Sequence, residues 1–545
     1  MACPSARRCR NTGTYEMTQT TLAMALAQGF QRHGVKRIFG VPGGGSALPI
    51  IDASKELGIE FILARSESAA AIMAAVTGEL SGTPGVALAC AGPGAASLTN
   101  GAAYAKLEQA PLLLLTDGPA STLHQRYDQN ALYAPITKHQ GRLTPEYGVT
   151  DVEEALSLTC RAPMGPVQMN INAAGAVAPA TGNIGVPRGD DPPPSDETIA
   201  AAAALIEKSR RPLLLVGLEA RYGAAPDWAL RLAEALNCPV MATYKAKGVL
   251  PDRHPRMAGM FTGAASEFQA IDAADLILTF GVDPVEFIAA PWLHDAPIVE
   301  IRTADLPRML LQPALRLIGP ICATAEALLA NDAGNSDWTS EAIEGLTKTI
   351  TDRVAVSSNS HTAHSVTRAI VEAAPGRIRA SVDAGAHMIS AMSLIDADLP
   401  FGALKSNGLS TMGYALPAAI ASALHDPEIP AVAITGDGGL MMCLAELTTA
   451  AEHGCGVITV VLNDSALSLI DVKQQVQKLD RTGVTFAPVD FAAIAQAMDI
   501  AAWKVGPGDD MTEAMRSAYA HGGPALIDVT IDASVYKEQV AALRG

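Results

Sequence analysis

Aromatic residues make up only 4% of this chain and charged residues 17%, the latter below the ~25% of an average soluble protein. With so few charges and 49% hydrophobic residues, the chain is excluded from the disordered class and can fill several buried cores. Basic residues are the scarcer sign, 39 Lys and Arg against 56 Asp and Glu, for a formal net charge of −17. Without a basic stripe, no nucleic-acid partner is expected.

No Cys-x-x-Cys pair occurs among the eight cysteines, most of which lie in apolar runs. Inert core thiols in a reduced, cytoplasmic setting are the expectation. The first sixteen residues, MACPSARRCRNTGTYE, contain no apolar stretch of the secretory kind, and a disordered tail over 1–16 is expected. The uncharged run GVALACAGPGAASLTNGAAYA, residues 85–105, is long enough to cross a bilayer, but Gly, Pro and Asn interrupt it. It reads as a buried strand–turn–helix, and no membrane partner is expected.

What the chain does have is alternation. Short apolar runs such as RIFGV, GVALAC, PLLLLT, VQMNI, PLLLVG, LILTFG, AVAIT and ITVVLN are separated by helical stretches. Such strands, apolar throughout and joined by helices, are those of parallel sheets covered on both faces. Length alone suggests about three or four domains. Linkers over 176–197, rich in Pro, Gly and Asp, and 333–362, with a Ser/Asn/Thr cluster, divide the chain into three doubly wound α/β blocks: 17–185, 193–340 and 360–545. The outer blocks echo each other, with GVALACAGPG and AVAITGDGG each ending a strand on glycines before a helix.

Residues 434–440, ITGDGGL, place one carboxylate among glycines where a strand gives way to a helix. Small residues and free N–H groups at a helix start suit a phosphate. Asp437 would repel that phosphate unless a cation lies between them, and Mg²⁺ or Ca²⁺ is the oxygen-loving choice. The next strand ends at Asn463-Asp464, at the sheet edge where ligands of open α/β folds bind. Either residue could supply the second ligand.

The motif GDGG…LND resembles the thiamin-diphosphate motif. FGVPGGGSALPI, ARSESAAAIMAA, AGPGAASLTNG, PITKH and KSNGLSTMGYALPAAIASAL extend the resemblance to the acetolactate-synthase branch across residues 17–545. The resemblance implies a pyrimidine-binding domain, a central domain and a diphosphate-binding domain. It also implies a thiamin-diphosphate- and Mg²⁺-dependent 2-oxo acid decarboxylase or carboligase. Asp437 and Asp464 would hold the metal, with Asn463 as competitor and a backbone carbonyl near Ala466 completing the set. Gly385, Ala386, Gly436, Gly438 and Gly439 would border the diphosphate. Met412 would bend the cofactor, the Ser410 carbonyl would hold its amino group, and Leu469 and Ile470 would lie over it. Glu67 would be the activating acid, with Gln125 and Gly44 lining the reaction space.

Departures from the family pattern are Asp for Asn at 464, Ser66 for His, His124 for Phe, and Lys473 where a Trp shapes acceptor preference. The family arrangement implies a homodimer or tetramer with sites shared between subunits and a small 2-oxo acid or related carbonyl substrate. TFGVDPVEF replaces the pattern of FAD-binding relatives, so FAD is not expected. A flavin-linked 2-oxo acid oxidase and a non-catalytic regulatory homologue are the competing readings.

Overall fold

The computed structural model describes residues 20–118, 124–185, 191–264, 267–288, 291–306, 311–331 and 336–544. The tail expected over 1–16 lies outside them. Three six-stranded sheets, all parallel, follow one another along the chain, each covered by helices. All eight apolar runs form strands, from Arg37–Val41 to Val457–Asn463. The run over 85–105 folds as the strand Gly85–Ala89 and the helices Pro93–Ser97 and Thr99–Leu107. No described helix is long and apolar enough to cross a membrane.

The amino-terminal sheet runs Glu60–Leu63, Arg37–Val41, Gly85–Ala89, Leu112–Asp117, Pro166–Ile171, His139–Arg142. The carboxy-terminal sheet runs Ala403–Lys405, Arg379–Val382, Ala431–Gly436, Val457–Asn463, Ala525–Thr530, Ala501–Val505. Numbered in chain order within each domain, both read second, first, third, fourth, sixth, fifth. The Gly92-Pro93-Gly94 loop and the Asp437-Gly438-Gly439 loop therefore follow the same strand of the same topology. In the central sheet the first strand, Pro212–Val216, lies between the second, Val240–Ala242, and the fourth, Leu276–Phe280.

One expected linker is partly structured. Residues 333–362 contain the helix Ser340–Val354, whose Ile343 and Leu346 are buried in the central core beside Trp338. Their i, i+3 spacing puts both on one helical face, and the Trp338 indole N–H donates to the Pro212 carbonyl at 2.8 Å. The central unit thus extends past residue 340. The polar Ser/Asn/Thr cluster had masked this short apolar stripe.

Where the three domains meet, a polar network is sealed from solvent. Glu79, on the helix Glu67–Ser81, accepts from Arg221 (3.0 Å) and Lys245 (2.8 Å) of the central domain and from the Tyr104 hydroxyl (2.5 Å). Tyr104 reaches the Tyr414 hydroxyl of the carboxy-terminal domain at 3.0 Å. Burial alone would raise the Glu79 pKa, but the Lys245 and Arg221 charges hold it below the ordinary value. Nearby, Glu108 accepts from the Asn407 and Gly408 amides at 2.6 and 2.7 Å, and Lys245 lies 3.4 Å from its other oxygen.

Candidate active site

A cavity of about 510 Å³ opens between the central domain and the carboxyl ends of the carboxy-terminal strands. Gly385 and Ala386, after the strand Arg379–Val382, form one side of its floor. Gly436, Gly438 and Gly439 form the other, at the junction between the strand Ala431–Gly436 and the helix Asp437–Met441. A side chain at 439 would collide with the buried Asp383 carboxylate and come within 2.8 Å of the Thr435 hydroxyl, so the close approach there favours glycine.

Asp437 is 2% exposed. Its Oδ1 accepts from the Gly438 amide at 2.7 Å, and its Oδ2 from the Asp464 and Ser465 amides at 3.1 and 2.6 Å. Burial, then the neighbouring Asp464 charge, pushes its pKa up to about 6 despite those N–H groups. Asp464 accepts from the Ala466 amide (3.2 Å) and the Ser468 hydroxyl (2.5 Å), and burial raises its pKa as well. Among the described residues no group of three His, Cys, Asp or Glu is placed to hold a metal unaided. Two repelling, buried carboxylates fit a hard cation whose remaining ligands come from main chain and a bound oxyanion.

The strand end separates the two sequence candidates for the second ligand. Asn463 donates its amide hydrogens to the Val489 carbonyl and Asp528, both at 2.9 Å, and does not line the cavity. Ser465 then turns the chain with a left-handed φ of 58°, and Asp464 and Ala466 both border the cavity. The Asn463 side-chain nitrogen is thus committed to Val489 and Asp528, while Asp464 is the one of the pair that borders the cavity.

Ser410 (φ 53°) and Met412 line the cavity from the loop before the helix Ala415–His425, and Leu469 and Ile470 from the helix Ser468–Gln477. Three residues not assigned roles from sequence bear on the floor: Asp383 supports it, and His387 and Lys405 line the cavity. Asp383, buried, accepts from the Tyr414 and Ala415 amides at 2.7 and 2.8 Å and from Thr435 at 2.6 Å, pinning the Met412 loop to the strand ends. His387 is buried with its Nε2 unpartnered, and burial, then the Lys405 charge, lowers its pKa to about 4. Lys405, 2% exposed, donates to the Ser406 carbonyl (3.1 Å) and the Asn407 side-chain oxygen (3.4 Å) and lies over the Tyr244 ring, 5.4 Å from its centroid. Burial lowers its pKa to about 8. An orphaned neutral imidazole and a buried ammonium lacking a carboxylate partner fit an anion over the glycine floor.

Glu67, Gly44 and Gln125 are elsewhere. No described residue of the amino-terminal sheet domain lines the cavity. Glu67 opens the helix Glu67–Ser81, half-buried, with its Oε1 3.2 Å from where a Cβ on Gly94 would lie. Gln125, exposed with φ 55°, stands across from Gly92, where an added Cβ would be 2.9 Å from its own. Gly44 is exposed in the loop after the strand Arg37–Val41. These three belong to a second, separate face built around the Gly92-Pro93-Gly94 loop. His124 is exposed beside Gln125, and Ser66 caps the Glu67 helix by accepting from the Ala69 amide at 3.2 Å.

Three family models match the chain. They are the thiamine pyrophosphate enzyme N-terminal TPP binding domain over residues 20–140, the central domain over 199–328 and the C-terminal TPP binding domain over 383–529. The chain is 29% identical over 536 residues to an acetolactate synthase of Bacillus subtilis (strain 168), covering 92% of this chain and 91% of that protein. It is 29% identical over 535 residues to the acetolactate synthase isozyme 1 large subunit of Escherichia coli (strain K12), covering 92% of each. A probable 2-ketoarginine decarboxylase, AruI of Pseudomonas aeruginosa, is 27% identical over 552 residues, covering 93% of this chain and 94% of that protein.

Proposed function

Because the chain belongs to the thiamine pyrophosphate enzyme family, whose members make or break carbon–carbon bonds with that cofactor, we propose that it decarboxylates a 2-oxo acid. The product either leaves or is joined to a second carbonyl, as the names of the acetolactate synthase and decarboxylase relatives suggest. The observation that carries this reading is the cavity floor: paired acids on adjacent strand ends beside glycines, with an unpartnered His387 and Lys405 opposite. Thiamin diphosphate, when bound, supplies a carbon nucleophile that accepts the electron pair released as CO₂ departs.

The chain's own residues set the conditions. Asp437, Asp464 and the main chain at Ala466 would hold Mg²⁺ against the diphosphate. Gly385, Ala386, Gly438 and Gly439 would offer main-chain N–H groups, His387 a ring N–H, and Lys405 a positive charge. That charge offsets the extra negative one that Asp464 brings in place of Asn. Met412 and the Ser410 carbonyl would orient the ring pair, under Leu469 and Ile470. The Glu67 carboxyl would hold the proton that activates the aminopyrimidine, with Gln125 and Gly44 beside the reacting carbonyl.

Since Glu67 and the cavity lie on different faces of one chain, the site closes only when a second copy brings its amino-terminal face to the cavity. A homodimer or tetramer follows, and the reading places it in the cytoplasm, in keeping with six described cysteines that are all unpaired. FAD is left out. At the switch point of the central sheet, Gly217 N donates to Phe280 O (3.0 Å) and Glu219 N to Gly281 O (2.9 Å), continuing the ladder between the two strands. Arg302 and Asp283, 3.0 Å apart, pack there with Glu219.

The test is the purified protein with Mg²⁺, thiamin diphosphate and a panel of 2-oxo acids, following CO₂ and products. Glu67→Gln is expected to lose turnover while calorimetry still records cofactor uptake; full activity in that variant would remove Glu67 from its role. Mixing inactive Glu67→Gln and Asp437→Asn chains should restore about a quarter of wild-type activity if sites are shared between two copies. No restoration after subunit exchange refutes the sharing.

A further inference from the structure

The cofactor reading leaves one basic group of the cavity unused. Lys473 lies on the helix Ser468–Gln477 three residues after Ile470, so both project from one face, and both line the cavity. The same cavity is lined on the central-domain side by the apolar residues Val285, Phe287 and Ile288. Among the described residues no carboxylate lies within 4.0 Å of its amino group. The neighbouring Arg481, by contrast, is paired with Asp471 at 3.0 Å.

The acids of the cavity are not available to Lys473. Asp437 and Asp464 face each other across the proposed cation. Glu286 has both oxygens occupied, by the Thr243 hydroxyl and by the Leu218 and Asp283 amides at 3.1 and 2.8 Å. Burial pushes its pKa up to about 7. On a chain of net charge −17, Lys473, an exposed cation on the cavity lining with no carboxylate partner among the described residues, is a local attractor for an anion.

Which anion it would hold follows from the chemistry. In decarboxylation the bond from the carboxyl carbon to the carbonyl carbon breaks. CO₂ leaves uncharged, and the electron pair stays on the carbon attached to the cofactor. A cation held against that departing carboxylate would stabilise the ground state more than the transition state and slow the step. A cation is useful on a carboxylate that survives. We propose that Lys473 binds a retained carboxylate of the reactants, either the distal carboxylate of a 2-oxo dicarboxylic donor or the carboxylate of a 2-oxo acid acceptor. This deepens, and rests on, the thiamin-diphosphate reading.

The experiment compares wild type, Lys473→Gln and Lys473→Glu, each loaded with Mg²⁺ and thiamin diphosphate and first titrated with the cofactor by calorimetry. In the donor arm CO₂ release is measured from 2-oxoglutarate and from uncharged-tail 2-oxopentanoate. In the acceptor arm pyruvate is the donor, and ligation to 2-oxobutanoate is compared with ligation to propanal. A rise in KM of about tenfold or more for the charged member of one pair only, larger for Lys473→Glu and with cofactor affinity unchanged, supports the proposal. The arm in which it occurs identifies the source of the carboxylate. Equal changes within both pairs, or none, overturn it. Failure of the wild type to take up cofactor overturns the thiamin reading, and this proposal with it.

Discussion

Replacing Asp464 with Asn tests whether two carboxylates share one cation. The substitution keeps the shape and leaves an oxygen for the Ala466 amide and an NH₂ for the Ser468 oxygen, so the turn at Ser465 should persist. What it removes is the charge beside Asp437. Asp437 is pushed up to about 6, first by burial and second by Asp464, from an ordinary aspartate value of about 3.9. If the Asp464 share is about one pH unit, the variant recovers about 1.4 kcal/mol of cation-free stability at neutral pH.

The sign follows from proton uptake. A carboxyl whose folded pKa is raised stabilises the fold below its unfolded value, and that contribution is lost as pH rises through the folded value. Cation-free Asp464→Asn protein should therefore melt higher than wild type at pH 7.5, by about 3 °C for a domain of this size. The gap should close by pH 4. In the same variant Mg²⁺ affinity, measured by titration in the presence of thiamin diphosphate, should fall about tenfold, because one anionic ligand is gone. Unchanged Mg²⁺ affinity together with a pH-independent melting difference would refute the shared-cation geometry.

Asn463→Ala should leave Mg²⁺ affinity within about twofold while lowering stability by about 1–3 kcal/mol, since the Val489 carbonyl and Asp528 lose their donor. A collapse of Mg²⁺ binding would return Asn463 to the ligand set. Lys405, with its pKa lowered to about 8, should make cofactor affinity decline as pH rises from 7 to 9 and the ammonium is lost. In Lys405→Met affinity should be weaker at pH 7 and flat over that range, and an unchanged pH profile would dissociate Lys405 from the diphosphate. Glu79→Gln should destabilise the folded chain by about 3–5 kcal/mol, because Arg221 is left buried without its counter-charge and Lys245 keeps only Glu108, at 3.4 Å. A denaturation midpoint equal to wild type would show that the junction tolerates the loss.

The sequence was most informative where pattern and geometry coincide. Apolar runs of strand length located every sheet, and glycines flanking Asp437 located the cavity floor, because both are local properties of a few consecutive residues. It was ambiguous at Asn463-Asp464, since adjacent residues at a strand end can face opposite sides and only the register and the Ser465 turn decide which. Asp383, Lys405 and Glu108 carried no local signal. Asp383 and Glu108 act on segments far along the chain, Asp383 on the amides of 413–415 and Glu108 on those of Asn407 and Gly408, and what marks Lys405 is its burial in the folded chain. The helix Ser340–Val354 is hard to read from sequence because its apolar positions, Ile343, Leu346, Ile350 and Val354, are interleaved with Thr, Lys and Asp next to a polar Ser/Asn/Thr cluster.

The grip of Glu108 on Asn407 and Gly408 has a consequence for how the protein is loaded. The segment that borders the cavity hangs from a carboxylate in another domain, so occupancy and interdomain cohesion are thermodynamically linked, and the linkage runs both ways. A ligand seated against Met412 makes the amino-terminal sheet harder to unfold although it touches none of it. Loosening the far side of that junction registers at the cavity as weaker uptake.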